Sequence, residues 1–271
     1  MALPPLEGIV YGPVRSRRLG ASLGINLLPA GVKICNMNCA YCQYGWTRRA
    51  IRYRGQGLGW PTAQAVEAAL SARLTAAADR DEIIDRLTVA GHGEPTLHPE
   101  FEEIAIRLRS VCDRIAPGIP LAILSNSTTA AAADVRRGLA SFDERYMKLD
   151  AGDSATFAAL NGGGRHLSDI LDALRILSPI VVQAMFVGDT RGAVDNSTAA
   201  PVRAWLDALE TIRAARVQVY TIDRSPALAS LQPVPAQRLR EIAEHVRAIG
   251  IHADVFAPRR RDQGRASGTR H

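Results

Sequence analysis

Long apolar runs are absent from the sequence, and its first ten residues, Met1 to Val10, lack a basic segment followed by an apolar one. The first absence argues against a membrane-spanning helix, and the second argues against a secretory signal. We therefore expect a cytoplasmic protein that does not enter a membrane. Aromatic residues are scarce at 5%, whereas hydrophobic residues make up 47% of the 271. This length and composition suit one large α/β domain with a full core.

Basic charge is concentrated at the C-terminus. The chain has a formal net charge of +6, and residues 259–271 contain five arginines and one aspartate, which leaves the rest nearly neutral. We expect residues 1–258 to form the folded domain, with 1–21 as an N-terminal extension within it, and 259–271 to form a basic, disordered tail. A solvated terminus and a phosphate-binding tail both stay open, but the nearly neutral body offers little basic surface for nucleic acid.

Short apolar runs alternate with segments of helical period. Runs such as Leu121 to Leu124 and Ile180 to Val182 are continuously apolar, which is typical of parallel strands covered by helices. The predicted strands are Ser22–Leu28, Arg86–Ala90, Leu121–Ser125, Arg145–Asp150, Ile180–Val187, Val217–Ile222 and His252–Phe256. The predicted helices lie near residues 62–78, 100–115, 130–140, 167–177, 200–214 and 236–249. The pattern is a repeated βα unit.

Six βα units followed by a seventh strand predict an α/β fold with parallel strands, a full or partial TIM-type barrel. In such a barrel the functional side chains lie where the strands end. Four polar segments of this sequence fall there. They are a cysteine-containing loop after the first strand, Gly91–Pro95 after the second, Ser125–Ser127 after the third and Asp150 at the end of the fourth. We therefore expect these segments to meet at one end of the barrel.

Three of the four cysteines lie within eight residues. Cys35, Cys39 and Cys42 have the spacing C-x3-C-x2-C, whereas Cys112 lies in a later predicted helix, where it is better explained as a buried apolar residue. An odd trio in a reducing compartment is a poor disulfide framework, so the spacing indicates a metal site. Thiolates select zinc or iron-sulfur clusters. A closed zinc site or an ordinary ferredoxin cluster uses four protein ligands, whereas a four-iron cluster held by three thiolates keeps one iron open.

Further candidates follow the predicted strands. Gly91 and Gly93 allow close approach of the backbone to a ligand, and Glu94 supplies a carboxylate beside them. Lys148 and Asp150 lie two residues apart on one strand, hence on one face. Charged residues inside a barrel need partners, so these two form either a ligand contact or an internal ion pair.

Two other groups of polar residues are open to more than one interpretation. Arg15, Arg17 and Arg18 form a basic patch before the first strand, which faces either solvent or a phosphate or carboxylate group of a substrate. Gln183 interrupts an otherwise apolar strand. It is either a ligand contact or a buried hydrogen-bonding residue.

The segment from Cys35 to Cys42 reads Cys-Asn-Met-Asn-Cys-Ala-Tyr-Cys. It resembles the signature of radical S-adenosylmethionine (SAM) enzymes, including the aromatic residue before the last cysteine. The resemblance implies a [4Fe-4S] cluster bound by Cys35, Cys39 and Cys42, with SAM at the open iron. It also implies a set of cofactor-binding residues, which are Tyr41, Gly91, Gly93, Glu94, Ser125, Asn126, Lys148 and Asp150.

Within that set, Gly91–Glu94 is similar to the glycine-rich segment with which the superfamily binds the methionine ammonium group. Ser125 and Asn126 match by position the polar residues that contact the carboxylate or ribose of the cofactor. Lys148 is a candidate for the same carboxylate or ribose. A helix-capping role for the residues after Ser125 is an equally good explanation of that segment.

Several other segments extend the resemblance over nearly the whole chain to Pro258: Gly12–Asn26, Ala90–Phe101, Lys148–Asp153, Met185–Val187 and Tyr220–Pro226. They look like single-cluster radical SAM proteins that are similar to the catalytic core of the wyosine-forming tRNA enzyme. The resemblance implies a partial (β/α)6 barrel. This sequence differs from the tRNA enzyme itself, which carries additional cysteines for a second cluster, whereas Cys112 is the only cysteine here outside the signature.

The resemblance implies an enzyme with oxidoreductase chemistry. An electron from an external donor such as flavodoxin or ferredoxin would pass through the cluster and cleave SAM to methionine and a 5′-deoxyadenosyl radical, which abstracts hydrogen from a substrate. The sequence does not identify that substrate. The alternatives are a tRNA-modifying radical SAM enzyme of wyosine type and a non-catalytic iron-sulfur or zinc protein.

Overall fold

The computed structural model describes residues 2–48, 51, 53–57 and 59–258, so the predicted basic tail, 259–271, lies outside the described residues. The strands are β1 (Val10–Ser16), β2 (Gly20–Ile25), β3 (Arg86–Val89), β4 (Leu121–Ser125), β5 (Glu144–Lys148), β6 (Val181–Asp189), β7 (Arg216–Thr221), β8 (Leu231–Pro233) and β9 (His252–Phe256). The helices are α1 (Ala63–Ala78), α2 (Phe101–Ile115), α3 (Ala133–Leu139), α4 (Ser154–Asn161), α5 (Leu167–Leu177), α6 (Ala199–Ile212) and α7 (Ala236–Ala248). Across these described ranges, no helix combines the length and the apolar character needed to cross a membrane.

A single nine-stranded sheet organises the chain. Its strand order is β1-β2-β3-β4-β5-β6-β7-β9, with β8 paired to β6 off this path. The strands from β2 to β7, and then β9, are parallel to their neighbours, whereas β1 is antiparallel to β2 and β8 is antiparallel to β6. Seven parallel strands joined by six helical crossovers form a curled half-barrel. The predicted partial barrel of six βα units is thereby confirmed.

The core lies between the sheet and the helices that cover its outer face. Val89, Ile123 and Val182 are fully buried there, because alternate side chains of a strand point to the same face. The helices bring matching apolar stripes, as in α2, where Leu108 and Cys112 lie four residues apart and are both fully buried. Cys112 is therefore a core residue, as the sequence indicated.

The inner face of the half-barrel is polar. Lys148 and Gln183 are register partners on β5 and β6, and Gln183 pairs in turn with Gln218 on β7. Gln183 Nε2 donates a hydrogen bond of 2.8 Å to Gln218 Oε1. Tyr220 follows two residues after Gln218, hence on the same face. Of the two roles open to Gln183, the structure shows the hydrogen bond between buried side chains.

Residues at the amino ends of the strands close one end of the half-barrel. Leu19, Ala122 and Tyr146 form a small apolar cluster. Beside it, Arg86 Nη2 donates a hydrogen bond of 2.9 Å to Glu144 Oε1. The space inside the half-barrel is therefore filled at this end and opens toward the carboxyl ends of the strands.

Three elements were not predicted, and two strands end two or three residues earlier than predicted. β1 contains Gly12 and Pro13 and no apolar run, as suits an edge strand; β8 has three residues and α4 has eight. The first predicted strand ends at Ile25 instead of Leu28. The fourth ends at Lys148, so Asp150 lies in the loop that follows. The Asp150 side chain accepts a hydrogen bond from the backbone N–H of Met185 in β6.

Candidate functional site

A cavity of about 550 Å³ opens at the carboxyl ends of the strands. Of the predicted site residues, ten line it: Cys35, Cys39, Tyr41, Cys42, Gly91, Gly93, Glu94, Ser125, Asn126 and Lys148. Asp150 is buried behind Lys148 instead. The structure thus brings together side chains from the cysteine loop and from the ends of β3, β4 and β5. The volume is in the usual range for a cavity that holds one small ligand or cofactor.

The cysteine loop is held against the end of α4. Asn38 N donates a hydrogen bond of 2.8 Å to Asn161 O, and Ala40 N donates one of 2.8 Å to Leu160 O. Thr47 Oγ1 closes the loop with a bond of 2.7 Å to Met37 O. Backbone groups on both sides of Cys39 are therefore attached to the end of α4.

Two side-chain amides point at sulfur atoms of this loop. Asn126 Nδ2 lies 3.7 Å from Cys35 Sγ, and Asn161 Nδ2 lies 3.4 Å from Cys39 Sγ. Burial raises the pKa of the Cys35 thiol to about 12, and it raises the pKa of Cys39 as well. Without a metal these thiols are therefore protonated at neutral pH, so metal binding must displace their protons.

The candidate metal ligands of this loop are the sulfur atoms of Cys35, Cys39 and Cys42, none of which forms a disulfide. Among the residues that the structure describes, no three His, Cys, Asp or Glu side chains could hold one metal ion. A zinc site requires its ligands to converge on one point, whereas the cysteines of an iron-sulfur cluster bind different irons. The donor set of three cysteines suits a cluster.

Two glycines let the end of β3 pack tightly against its neighbours. A Cβ atom on Gly91 would lie 2.2 Å from Asn26 Oδ1, and one on Gly93 would lie 1.7 Å from Ile34 O. Glu94 N donates a hydrogen bond of 3.0 Å to the same Ile34 oxygen. Since Ile34 immediately precedes the first cysteine, Gly93 and Glu94 position the beginning of the cysteine loop.

The carboxylate of Glu94 is occupied by protein donors. Its Oε1 accepts hydrogen bonds from Thr96 N at 3.1 Å and from Ser125 Oγ at 2.9 Å. Its Oε2 accepts one of 2.5 Å from Asn126 N. Glu94 thus ties the end of β3 to the end of β4, and its contact with a cofactor ammonium group stays a prediction.

Asn126 extends this connection to the cysteine loop. Its Nδ2 donates a hydrogen bond of 2.9 Å to Asn36 Oδ1, and its Oδ1 accepts one of 3.1 Å from Thr128 N. Thr128 Oγ1 in turn accepts a bond of 2.7 Å from Asn36 Nδ2. Asn126 therefore stabilises the local turn and also lies close to Cys35. Contact of Ser125 or Asn126 with a cofactor stays a prediction.

Asp150 joins four groups from different parts of the fold. Tyr41 Oη donates to its Oδ2, and Asn161 Nδ2 donates to the same oxygen at 3.0 Å. Met185 N donates to its Oδ1 at 2.8 Å, and Lys148 Nζ lies 3.4 Å from that oxygen. Asp150 therefore positions Tyr41 and Lys148 from behind the cavity wall.

Lys148 remains charged inside the half-barrel. Burial alone would lower its pKa, but the negative charge of Asp150 and a contact with Tyr220 outweigh burial and raise it. Its Nζ donates a hydrogen bond of 3.0 Å to Tyr220 Oη and lies 4.6 Å from the centroid of the Tyr41 ring. The structure shows the internal ion pair that the sequence left open, and Lys148 also faces the cavity.

Sequence reasoning missed Asn161, which contacts both Cys39 and Asp150. Asn161 is the last residue of α4 and is followed by three glycines. That glycine run was the available signal, because glycine commonly follows the end of a helix. Gly163 also allows close packing on the cysteine loop, since a Cβ there would lie 2.6 Å from Asn36 O.

Comparison with known proteins agrees with this geometry. The family model described as "Radical SAM superfamily" matches residues 31–183, which span the cysteine loop and the strands up to β6. A protein of Helicobacter pylori (strain J99 / ATCC 700824) called "UPF0026 protein" is 32% identical over 220 residues, which are 80% of this chain and 67% of the relative.

Two solved structures share the fold. A radical SAM methyltransferase from Sphaerobacter thermophilus superposes with a TM-score of 0.60 at 16% identity, covering 87% of this chain and 65% of the other. Archaeal TYW1 superposes with a TM-score of 0.54 at 14% identity, covering 84% of this chain and 71% of the other. At such identities the likeness concerns the half-barrel and not the reaction.

Proposed function

Because the chain belongs to the radical SAM superfamily, we propose that it is an enzyme that binds a [4Fe-4S] cluster and SAM and starts a reaction by abstracting hydrogen from a substrate. Cys35, Cys39 and Cys42 would hold the cluster. SAM would lie beside it in the cavity. The cofactor-binding residues of this proposal are Tyr41, Gly91, Gly93, Glu94, Ser125, Asn126 and Lys148, which line the cavity, and Asp150 would act from behind the wall by positioning Lys148.

One observation carries the proposal. Three cysteines of a single loop line the same cavity as the glycine-containing end of β3 and the cation Lys148. A cluster with three protein ligands keeps one iron available to a small molecule. The cavity then provides room for that molecule next to the cysteines.

Cys35, Cys39 and Cys42 would hold the cluster, and the cluster would supply the one electron needed for reductive cleavage of SAM and the hydrogen abstraction that follows. The side chains described above bind and orient. Lys148, held in its charged form by Asp150, suits the cofactor carboxylate. Gly93 keeps the cysteine loop close to the end of β3. The cavity wall, which carries both polar and apolar side chains, would replace bulk water around the reacting groups.

The electron has to come from outside the chain, and we propose a small one-electron donor such as flavodoxin or ferredoxin. None of the described side chains is needed as a general acid or base in the cleavage step. The protein would therefore orient the reacting molecules and exclude water, while the cofactors would supply the reactive groups.

Anaerobic reconstitution with iron and sulfide, followed by dithionite and SAM, tests the proposal. We expect 5′-deoxyadenosine by liquid chromatography, and a cluster EPR spectrum that changes when SAM is added. Cys39→Ala should abolish both results, whereas the matched control Cys112→Ala, in the core of α2, should retain them. A fully loaded cluster that yields no 5′-deoxyadenosine and whose spectrum ignores SAM would favour a non-catalytic iron-sulfur protein.

The substrate can be sought by comparing metabolites, RNA nucleosides and peptides between cells that have the protein and cells that lack it. Loss of a modified tRNA nucleoside would identify a tRNA-modifying enzyme of wyosine type. Accumulation of an unmodified small molecule or peptide would identify another class of substrate.

A further inference from the structure

The cavity wall carries an excess of positive charge. Its cationic residues are Arg15, Arg17, Arg18, Lys33, Lys148 and Arg224, and its carboxylates are Glu94 and Asp223. Asp223 pairs with Arg17 at 3.3 Å, and the buried Asp150 pairs with Lys148 at 3.4 Å. Glu94 is occupied by protein donors. The remaining cations therefore have no carboxylate of the lining to neutralise them.

Arg18 is distinguished from the other cations by a buried nitrogen that lacks an acceptor. Its Nη1 is shielded from solvent and has no hydrogen-bond partner in the described part of the chain. Its Cζ lies 4.0 Å from the centroid of the Tyr220 ring. Stacking on an aromatic ring fixes the guanidinium plane and leaves its N–H edge available. Native proteins rarely leave a buried donor unpaired, so this nitrogen calls for an acceptor supplied by a ligand or by water.

The contacts of Tyr220 place Arg18 across the cavity from the cysteines. Tyr220 Oη accepts the hydrogen bond of Lys148, whose Nζ lies above the ring of Tyr41 in the cysteine loop. The series Arg18, Tyr220, Lys148 and Tyr41 therefore crosses the half-barrel from the turn between β1 and β2 to the cysteine loop. A molecule held by Arg18 would face the cofactor and would not compete with it for the cysteine end.

We propose that Arg18, assisted by Arg15, binds an anionic group of the substrate, either a carboxylate or a phosphate. This inference rests on the proposed function, since it concerns the second molecule in the same cavity. Arg15 is exposed, lines the cavity and forms no ion pair with the described carboxylates. Guanidinium groups present planar pairs of N–H donors that match both carboxylate and phosphate oxygens. The substrate class is therefore a molecule with at least one negative charge.

Isothermal titration calorimetry on the reconstituted full chain, with SAM present and at low ionic strength, tests this inference. Inorganic phosphate and succinate serve as probes, and the one that binds more tightly distinguishes a phosphate from a carboxylate group. We expect Arg18→Gln to weaken binding about tenfold or more, because a charged hydrogen bond is lost, and Arg15→Gln to weaken it less. Arg175→Gln, on the exposed face of α5, should leave the affinity unchanged.

Equal affinity of wild type and Arg18→Gln would overturn the inference, and so would failure of both probes to bind. If Arg18→Gln does not fold by circular dichroism, the exposed variant Arg15→Gln decides in its place, and an unchanged affinity there is the overturning result. Formation of 5′-deoxyadenosine by the wild type is measured separately. Cleavage of SAM without binding of either anion contradicts this inference alone, whereas arginine-dependent anion binding without SAM cleavage contradicts the proposed function alone.

Discussion

The ion pair between Lys148 and Asp150 gives the most direct quantitative test of the site. Their charged atoms are 3.4 Å apart, and the two side chains are 20% and 1% exposed. Coulomb's law with an effective dielectric constant of about 20 gives about 5 kcal/mol at this distance. Because solvent reaches part of Lys148, we expect a coupling free energy of about 2–3 kcal/mol.

A double-mutant cycle isolates this coupling. In the variant Asp150→Asn, an amide NH2 group replaces one carboxylate oxygen and faces two hydrogen-bond donors. This single variant should therefore lose about 3–5 kcal/mol of unfolding free energy. Lys148→Met should lose less, since the carboxylate keeps its hydrogen bonds from Tyr41, Asn161 and Met185. The cost of the misplaced amide is present in both Asp150→Asn and the double variant, so it cancels from the cycle.

Urea unfolding of the cluster-free protein, followed by circular dichroism, supplies the four free energies of the cycle. The pair Arg175 and Asp172 on the surface of α5 is the control, because its atoms are 3.0 Å apart but both side chains are mostly exposed. We expect a coupling below about 0.5 kcal/mol there. A coupling equally small for Lys148 and Asp150 would refute the view that Asp150 holds the lysine charged inside the half-barrel.

Three further predictions follow from the cysteine loop. Gly93→Ala should prevent cluster loading, measured by iron content and absorbance, because its Cβ would lie 1.7 Å from a backbone oxygen, whereas Gly8→Ala, with its nearest atom at 3.6 Å, should load normally. Asn161→Ala should lower the reduction potential of the cluster by roughly 40 mV in EPR titrations, the equivalent of one hydrogen bond of about 1 kcal/mol to the Cys39 sulfur; an unchanged potential would show that the contact at 3.4 Å has no electrostatic effect. The metal-free protein should become less stable as the pH rises from about 9 toward 12. Cys35 ionises near pH 9 when unfolded but has a folded pKa of about 12, so the unfolded state loses its proton first; urea titrations at pH 8 and pH 10 should show about 1–2 kcal/mol of this loss in the wild type that Cys35→Ala lacks.

The parallel strands were predictable because their residues have a local signature. Strands such as β4, where Leu121, Ala122 and Ile123 are fully buried on both faces, read as continuous apolar runs. β1 has no such run. Its Gly12 and Pro13 are residues that usually indicate a turn, so the sequence does not identify it as an edge strand. The short α4 lacks the strong apolar periodicity of α2, so only its tertiary contacts reveal its importance.

The part of the candidate site that depends on short spacings along the chain was predictable from the sequence. The three cysteines and the glycines at the end of β3 were found in this way. The contact between Asn161 and Cys39 joins residues 122 positions apart, and the stacking of Arg18 on Tyr220 joins two ends of the sheet. Such pairs depend on how the half-barrel curls, which no local pattern encodes.

The division of β5 and β6 into an apolar outer face and an inner face that carries polar residues has an evolutionary consequence. Residues such as Met147 and Val182 are fully buried beneath the helices, so replacing them changes the stability of the fold. Gln183 and Lys148 occupy the other side of the same strands, where a change alters what the interior recognises and leaves the helix-packed layer intact. A descendant of this chain can therefore acquire a new specificity through inward-facing replacements, at a cost in stability where the replaced residue, like Lys148, forms an ion pair.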